Sequence, residues 1–388
     1  MINGISLFSS IGMAETYLER NDINICVANE IHPLRAKMHE HFYPDCQMVI
    51  GDIQDSTIFE QLVSAAKSKN CEFMIATPPC QGMSTAGKKL KDDPRNKLII
   101  PTVEMILQLR PKFVIIENVP QLLQTSILVN DEWILIKDYI EKELGDFYII
   151  NERHVVNAYE YGIPQNRERC VFLLIDKRLN AKWEFPAPSD HIVTLREAIG
   201  DLPSLDPYII DATPEERNEI FPDYYKKEAE GLKVSKWHCP PRHYMRHVIP
   251  MIHTAEGHSA MENNIYYPKV KSGKKSKGFN NTYKRQWWDK PAYTITQYNN
   301  RIGSQENGHP GTAIVESDNE EIRRWSDARI LTVYELMIVC SLPVDWDIPE
   351  WTSMNFLREV IGEGVPPKLI EAAIKSLKEL IRDGEINE

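Results

Sequence analysis

The strongest constraint on this chain is a series of short, continuous apolar runs: Ile23-Asn24-Ile25-Cys26-Val27-Ala28, Phe73-Met74-Ile75-Ala76-Thr77, Phe113-Val114-Ile115-Ile116-Glu117 and Cys170-Val171-Phe172-Leu173-Leu174-Ile175. Runs without polar alternation mark strands covered on both faces, as in a mostly parallel sheet. Parallel neighbours need crossover connections, and segments 33–43, 57–68, 97–109 and 131–144 carry apolar residues at helical spacing. The pattern predicts a doubly wound α/β domain over residues 1–183, with ligands bound beyond the carboxyl ends of the strands.

From Phe185-Pro186-Ala187-Pro188 the texture turns irregular and rich in Pro, Gly, Asn, His and aromatics, which predicts a second, smaller, loop-rich domain over 184–357. Helical spacing returns through Leu369, Ala372, Ala373, Leu377 and Leu380, so 358–388 is expected to complete the first domain. No stretch approaches the roughly 18 apolar residues of a membrane span, and the chain reaches Ile5-Ser6-Leu7-Phe8 without a basic leader. A cytoplasmic protein is expected. The seven cysteines are odd in number, scattered, and never spaced C-x-x-C, which indicates neither a disulfide framework nor a structural zinc site.

A net charge of -11 argues against a protein that merely coats nucleic acid. Local charge differs. Between Lys269 and Lys290, eight basic residues (269, 271, 274, 275, 277, 284, 285, 290) face one acid, Asp289, a local balance of +7. Tyr283, Trp287 and Trp288 lie beside it, the mixture of cation and stacking surface that a nucleic-acid groove uses.

Three segments carry chemistry. Thr77-Pro78-Pro79-Cys80-Gln81-Gly82-Met83-Ser84 sets a cysteine on a rigid turn just past a strand, where a stabilised thiolate is a nucleophile; a lone cysteine is otherwise a small buried hydrophobe. Glu117-Asn118-Val119 ends another strand at the same edge. In Gln165-Asn166-Arg167-Glu168-Arg169, alternation puts Arg167 and Arg169 on one face, so both guanidinium groups are expected to meet one anionic or carbonyl target. Trp237-His238-Cys239 to His247 has zinc-like residues, but the interleaved Arg242 and Arg246 favour phosphate or base contacts, and no metal is expected.

Together these segments resemble the DNA cytosine carbon-5 methyltransferase family, of the bacterial and archaeal restriction-modification type, across nearly the whole chain. Cys80 falls on its Pro-Cys-Gln nucleophile, Glu117 on its Glu-Asn-Val carboxylate, and Gln165, Arg167 and Arg169 on its Gln-x-Arg-x-Arg element. Arg329-Ile330-Leu331-Thr332 with Glu335 matches Arg-x-Leu-Thr-x-x-Glu, and Gly362-Glu363-Gly364-Val365 stands where the family has Gly-Asn-Ser/Ala-Val. The resemblance implies an S-adenosylmethionine-dependent methyltransferase fold with a target-recognition domain, and catalysis by Cys80, Glu117, Arg167 and Arg169. It implies a cofactor pocket of Phe8, Ser9, Ile11, Gly12, Glu30, Ile31, Asp52, Ile53, Pro79, Leu98, Gly364 and Val365. Ser6, Ser10 and Met13 depart from the glycine-rich cofactor loop, of which Gly12 alone remains.

Expected DNA contacts are Gln81, Ser84, Gln165, Arg242, Arg246, Lys274, Lys275, Lys277, Arg285 and Trp288. The expected partner is double-stranded DNA, met by a monomer, with a cognate restriction endonuclease encoded nearby. The alternative is the tRNA-methylating branch, which shares the Pro-Pro-Cys-Gln nucleophile but continues differently after it.

Overall fold

The computed structural model describes residues 1–79, 93–384 and 386. By compactness the chain divides into one unit of residues 1–161, 168–190 and 364–388, and a second of 162–167 and 191–363. The helix Met354–Glu363, which the sequence assigns mainly to the first domain, thus falls in the second unit.

In the first unit the strands are β1 (Ile2–Leu7), β2 (Ile23–Glu30), β3 (Gln47–Ile50), β4 (Phe73–Ala76), β5 (Phe113–Asn118), β6 (Ser126–Val129), β7 (Glu132–Leu135), β8 (Tyr148–Ile150), β9 (Val155–Asn157) and β10 (Glu168–Asp176). The helices between them are α1 (Pro33–Phe42), α2 (Ser56–Ser68), α3 (Ile99–Leu109) and α4 (Ile136–Leu144). The main sheet runs β3-β2-β1-β4-β5-β10-β8, with β9 also on β10. The pairs β2/β3, β1/β2, β1/β4 and β4/β5 are parallel, whereas β10 is antiparallel to β5, β8 and β9. The order reverses between β1 and β4, so a crevice is expected beyond their carboxyl ends.

The apolar runs explain the core. Ile5, Leu7, Val27, Met74, Val114, Ile116, Phe172 and Leu174 are fully buried, and helix residues such as Leu62, Val103 and Ile140 cover them. The expected helix at 131–144 starts only at Ile136, because residues 132–135 pair as β7 with β6. The C-terminal helix Pro367–Arg382 buries Leu369, Ile370, Ala373, Ile374 and Leu377. The indole of Trp183 fixes it by donating to the Ala373 carbonyl at 2.8 Å.

The second unit carries short helices, among them Tyr224–Val234 and Met354–Glu363, between irregular segments, and a buried charge network holds part of it. Arg329, wholly buried, donates to Glu335 at 2.8 and 2.9 Å and to Asp327 at 2.8 Å. Asp327 also accepts from the Ser204 hydroxyl at 2.7 Å and the Leu205 amide at 2.9 Å. Thr332 and Glu335 form a reciprocal cap on the helix Val333–Val339. The Arg-x-Leu-Thr-x-x-Glu resemblance therefore marks a structural staple. Burial alone would raise the Glu335 carboxyl, but Arg329 and its neighbours hold it down at about 2.

Two outcomes are expected. Arg329→Met, which strands two buried carboxylates, should cost about 3 to 5 kcal/mol of stability in denaturant titrations. A depressed carboxyl stabilises above its unfolded value near 4.5 and loses that contribution as pH falls towards about 2. Urea midpoints should therefore drop below pH 4.5, and Glu335→Gln should flatten the Glu335 part of that acid limb; an unchanged slope in this variant would exclude the assignment.

Candidate active site

Register builds the site. Val171 pairs with Glu117 and Cys170 with Asn118, so Arg169, at the start of β10, comes beside the last residues of β5. Arg169 Nε lies 2.8 Å from Glu117 Oε1, and each side chain is only 10% exposed. Arg169 Nη1 also donates to the Glu168 carbonyl at 2.8 Å, which fixes the plane of the guanidinium.

Asn118 does a different task. Its amide donates to the Pro78 carbonyl at 3.0 Å, while its oxygen accepts from the Val119 amide at 2.9 Å. The Thr77 hydroxyl donates to the Phe8 carbonyl at 3.1 Å. The segment leading to position 80 is thereby tied to β5 on one side and to the loop after β1 on the other. Cys80, Gln81 and Ser84 lie outside the described residues. Burial, and then the Glu117 charge, push the nearby Cys170 thiol up to about 12, so it is no thiolate at neutral pH.

The loop after β1 adopts left-handed backbone at Phe8 (φ 58), Ser10 (φ 49) and Gly12 (φ 85). Ser10 thus holds a conformation that glycine takes without strain. Its amide donates to Glu30 Oε2 at 2.9 Å, and the His32 amide donates to Glu30 Oε1 at 2.8 Å. Asn29 at the end of β2 donates to the Val49 and Gly51 carbonyls at 2.9 and 3.0 Å, which joins the ends of β2 and β3. Ser9 is tied to the Asn29 carbonyl through its amide at 2.9 Å and its hydroxyl at 3.1 Å. Ile31 is 52% exposed beside Glu30, whereas Ile11 and Ile53 are buried. Asp52 accepts from the Gln54 amide at 2.9 Å, while Leu98, half-buried, ends a short turn, Pro94–Leu98. Pro79 is half-buried and Val365 buried. A carboxylate with both oxygens oriented by backbone amides, an exposed aliphatic side chain and a second carboxylate at the next strand end fit a nucleoside: hydroxyls to Glu30, an apolar ring face to Ile31.

Several sequence-based assignments need correction. Arg167 and Arg169 do not converge on one target: Arg167 donates to the Ile295 carbonyl, to Gly362 at 2.9 Å and to Glu363 at 3.3 Å. Gln165, wholly buried, donates to the Val339 carbonyl at 3.2 Å and accepts from the Ile295 amide at 3.1 Å, so it does not face DNA. Arg285 is also wholly buried, and its guanidinium donates to five carbonyls, those of His309, Pro310, Asp327, Met251 and Ser326. Trp288 is 8% exposed and donates to the Gly311 carbonyl at 2.6 Å. Of the basic run, Lys284 pairs with Glu306, and Lys269, Lys271, Lys274, Lys275 and Lys277 are exposed. Lys269 and Lys275 flank the Tyr267 ring at 5.4 and 4.9 Å. Arg242 is exposed and Arg246 half-buried, over the Tyr208 and Tyr244 rings. The three nearby histidines have separate surroundings: His238 meets Thr332 and Pro203, His247 meets Tyr283, and His243 is buried.

Sequence reasoning missed Asn118 as an anchor, although it sits inside a motif already singled out. It also missed Asp327, whose only signal was its place two residues before Arg329.

The profile of the family described as "C-5 cytosine-specific DNA methylase" matches residues 2–379. The Type II methyltransferase M1.HgaI of Avibacterium volantium is 39% identical over 95% of this chain and 96% of its own length. The Type II methyltransferase M.Eco47II of Escherichia coli is 27% identical over 97% of this chain and 79% of its own. Among solved structures, the Entamoeba histolytica methyltransferase EhMeth superposes with a TM-score of 0.61 at 16% identity, covering 98% of this chain and 99% of its own, a likeness of fold.

For the loop after β1, Glu30→Ala is expected to weaken binding of S-adenosylmethionine, the cofactor the resemblance implies, by about 1.5 to 3 kcal/mol, as for hydrogen bonds to a charged group. Calorimetry with unchanged affinity would remove Glu30 from the pocket.

Proposed function

The chain belongs to the C-5 cytosine-specific DNA methylase family and is a DNA cytosine carbon-5 methyltransferase; on that premise we propose that it acts through a covalent adduct between Cys80 and a cytosine rotated out of the duplex. The observation that carries the proposal is the Glu117–Arg169 ion pair at the end of β5, one residue from the Asn118 anchor of the segment leading to Cys80.

The chemistry follows from the base. Cytosine carbon 5 is a weak nucleophile, so the Cys80 thiolate bonds to carbon 6 and electron density moves to carbon 5. S-adenosylmethionine, when bound, supplies the electrophilic methyl group. Glu117 holds a proton at ring nitrogen 3, and Arg169 orients Glu117 and favours charge developing on the ring. Loss of the carbon 5 proton then restores the ring's double bond as the bond to Cys80 breaks. A stacked base cannot reach such a pocket, and unstacking costs a few kcal/mol. Glu30, Ile31, Asp52 and the turn Phe8–Gly12 hold the cofactor, with Ile53, Pro79, Leu98, Gly364 and Val365 completing its surroundings. Arg167 acts as a positioning residue for the backbone at 295 and 362–363.

Gln81, Ser84, Arg242, Arg246 and the lysines of 269–277 contact DNA. The relative aligned along nearly its whole length is a Type II methyltransferase, which supports modification of DNA within a restriction-modification system over the tRNA reading. Bisulfite sequencing of host DNA after expression tests this: a methylated cytosine in a fixed sequence context is expected, and unmethylated DNA with methylated tRNA would reverse the assignment.

Cys80→Ser is expected to abolish methylation and leave cofactor binding intact, because a hydroxyl is a far weaker nucleophile at neutral pH. Wild-type turnover by this variant would sink the adduct. DNA with 5-fluorocytosine at the target should trap the wild-type protein covalently, since fluorine blocks the final proton loss.

Lys274, Lys275 and Lys277 replaced together by Ala should weaken binding to all DNA sequences alike. The log-log salt slope should flatten by about 0.9 for each phosphate no longer neutralised. The methylated sequence should not change. Normal binding with an unaltered slope would move the footprint to Arg242 and Arg246.

A further inference from the structure

Behind the loop after β1 lies a buried cluster that the proposed chemistry leaves unused. Glu15 is 3% exposed and His39 wholly buried. Glu15 Oε2 and His39 Nε2 lie 2.7 Å apart, while Glu15 Oε1 and His39 Nδ1 have no hydrogen-bond partner among the described residues. A buried titratable pair with an unsatisfied atom on each side is costly, and its presence requires a compensating role.

One helical turn after His39, where α1 ends, stands Tyr43, its ring 4.8 Å from the imidazole. The Tyr43 hydroxyl donates to the Gly12 carbonyl at 2.7 Å, and the Glu15 amide donates to the same carbonyl at 3.2 Å. The Tyr43 ring also fills the space that a Cβ on residue 12 would need, so this position requires glycine for packing as well as for its positive φ. Burial, and then the Glu15 charge, push the Tyr43 hydroxyl well above its ordinary value, so it remains a donor. On the other side of Gly12, Phe8 and Ser10 hold left-handed backbone, a conformation that strains a non-glycine residue and persists only where the surroundings over-determine it.

We propose that the buried Glu15–His39 pair and the half-buried Tyr43 form a brace that fixes the Gly12 carbonyl and thereby holds the turn Phe8–Gly12 in its cofactor-binding shape. Glu15 and His39 set the position of Tyr43, and Tyr43 sets Gly12. The brace rests on the reading that this turn holds S-adenosylmethionine. These three are positioning residues: they act on the cofactor through the backbone of the turn.

The test is calorimetric titration of the ligand-free enzyme with S-adenosylmethionine, beside KM values for cofactor and DNA. Tyr43→Phe keeps the ring against Gly12 and removes the donor, and should raise the cofactor Kd about fivefold, the loss of one ordinary hydrogen bond, with KM for DNA unchanged. Glu15→Ala should give at least that loss, and Glu15→Gln, which can still hydrogen-bond His39, should recover most of the affinity. If Glu15→Ala fails to fold, Tyr43→Phe decides alone. Wild-type cofactor affinity in Tyr43→Phe overturns the brace, as do equal rises in both KM values, which mark a general loss of packing. Glu30→Ala run in parallel separates the two readings: a loss there with none at Tyr43→Phe sinks only the brace, and no loss at either sinks the assignment of the turn to the cofactor.

Discussion

Parallel pairing of β1 with both β2 and β4, and of β4 with β5, forces four strand ends onto one edge of the sheet. Everything proposed for the first unit depends on that constraint. Glu30 ends β2, Thr77 and Pro78 follow β4, and Glu117 and Asn118 end β5, so residues nearly ninety positions apart share one edge. Neither Asn118 nor Phe8 would meet the segment before Cys80 if one of these strands ran the other way. The antiparallel β10 then returns Arg169 to the same edge from the opposite direction.

Much of this was legible in the sequence because burial on both faces leaves a simple signature. The runs at 23–28, 73–77, 113–117 and 170–175 fall within or within one residue of β2, β4, β5 and β10. Strand direction was not legible: β10 reads like the parallel strands β1, β2, β4 and β5 because an apolar run reports burial and carries no sign of orientation. The hairpin β6/β7 was hidden because Trp133 and Leu135 fit a helical stripe as well as a strand.

The site divides the same way. Glu117 and Arg169 stood out in the sequence because charged residues at strand ends have few structural uses; their ion pair did not, since alternation had paired Arg169 with Arg167. Arg285 and Trp288 were misread because residue type does not reveal burial: beside six exposed lysines, an arginine and a tryptophan resemble a nucleic-acid surface. Tyr43, His39 and Glu15 escaped notice because their meaning lies in the packing of α1 beneath a loop, and spacing within one helix does not identify what that helix covers.

Two buried arginines in the second unit grip main chain, whereas Arg329 meets carboxylates. Arg285 binds five carbonyls, and Arg167 binds those of residues 295, 362 and 363. A carbonyl acceptor is present whatever side chain its residue bears, so the clamp itself sets no demand on the side chains at 251, 309, 310 and 326; Met251 in the core and His309 and Ser326 beside Asp327 answer to other contacts. Part of the unit's frame is thus written in peptide groups, which ties it to the path of the backbone and leaves the exposed side chains outside that part of the frame.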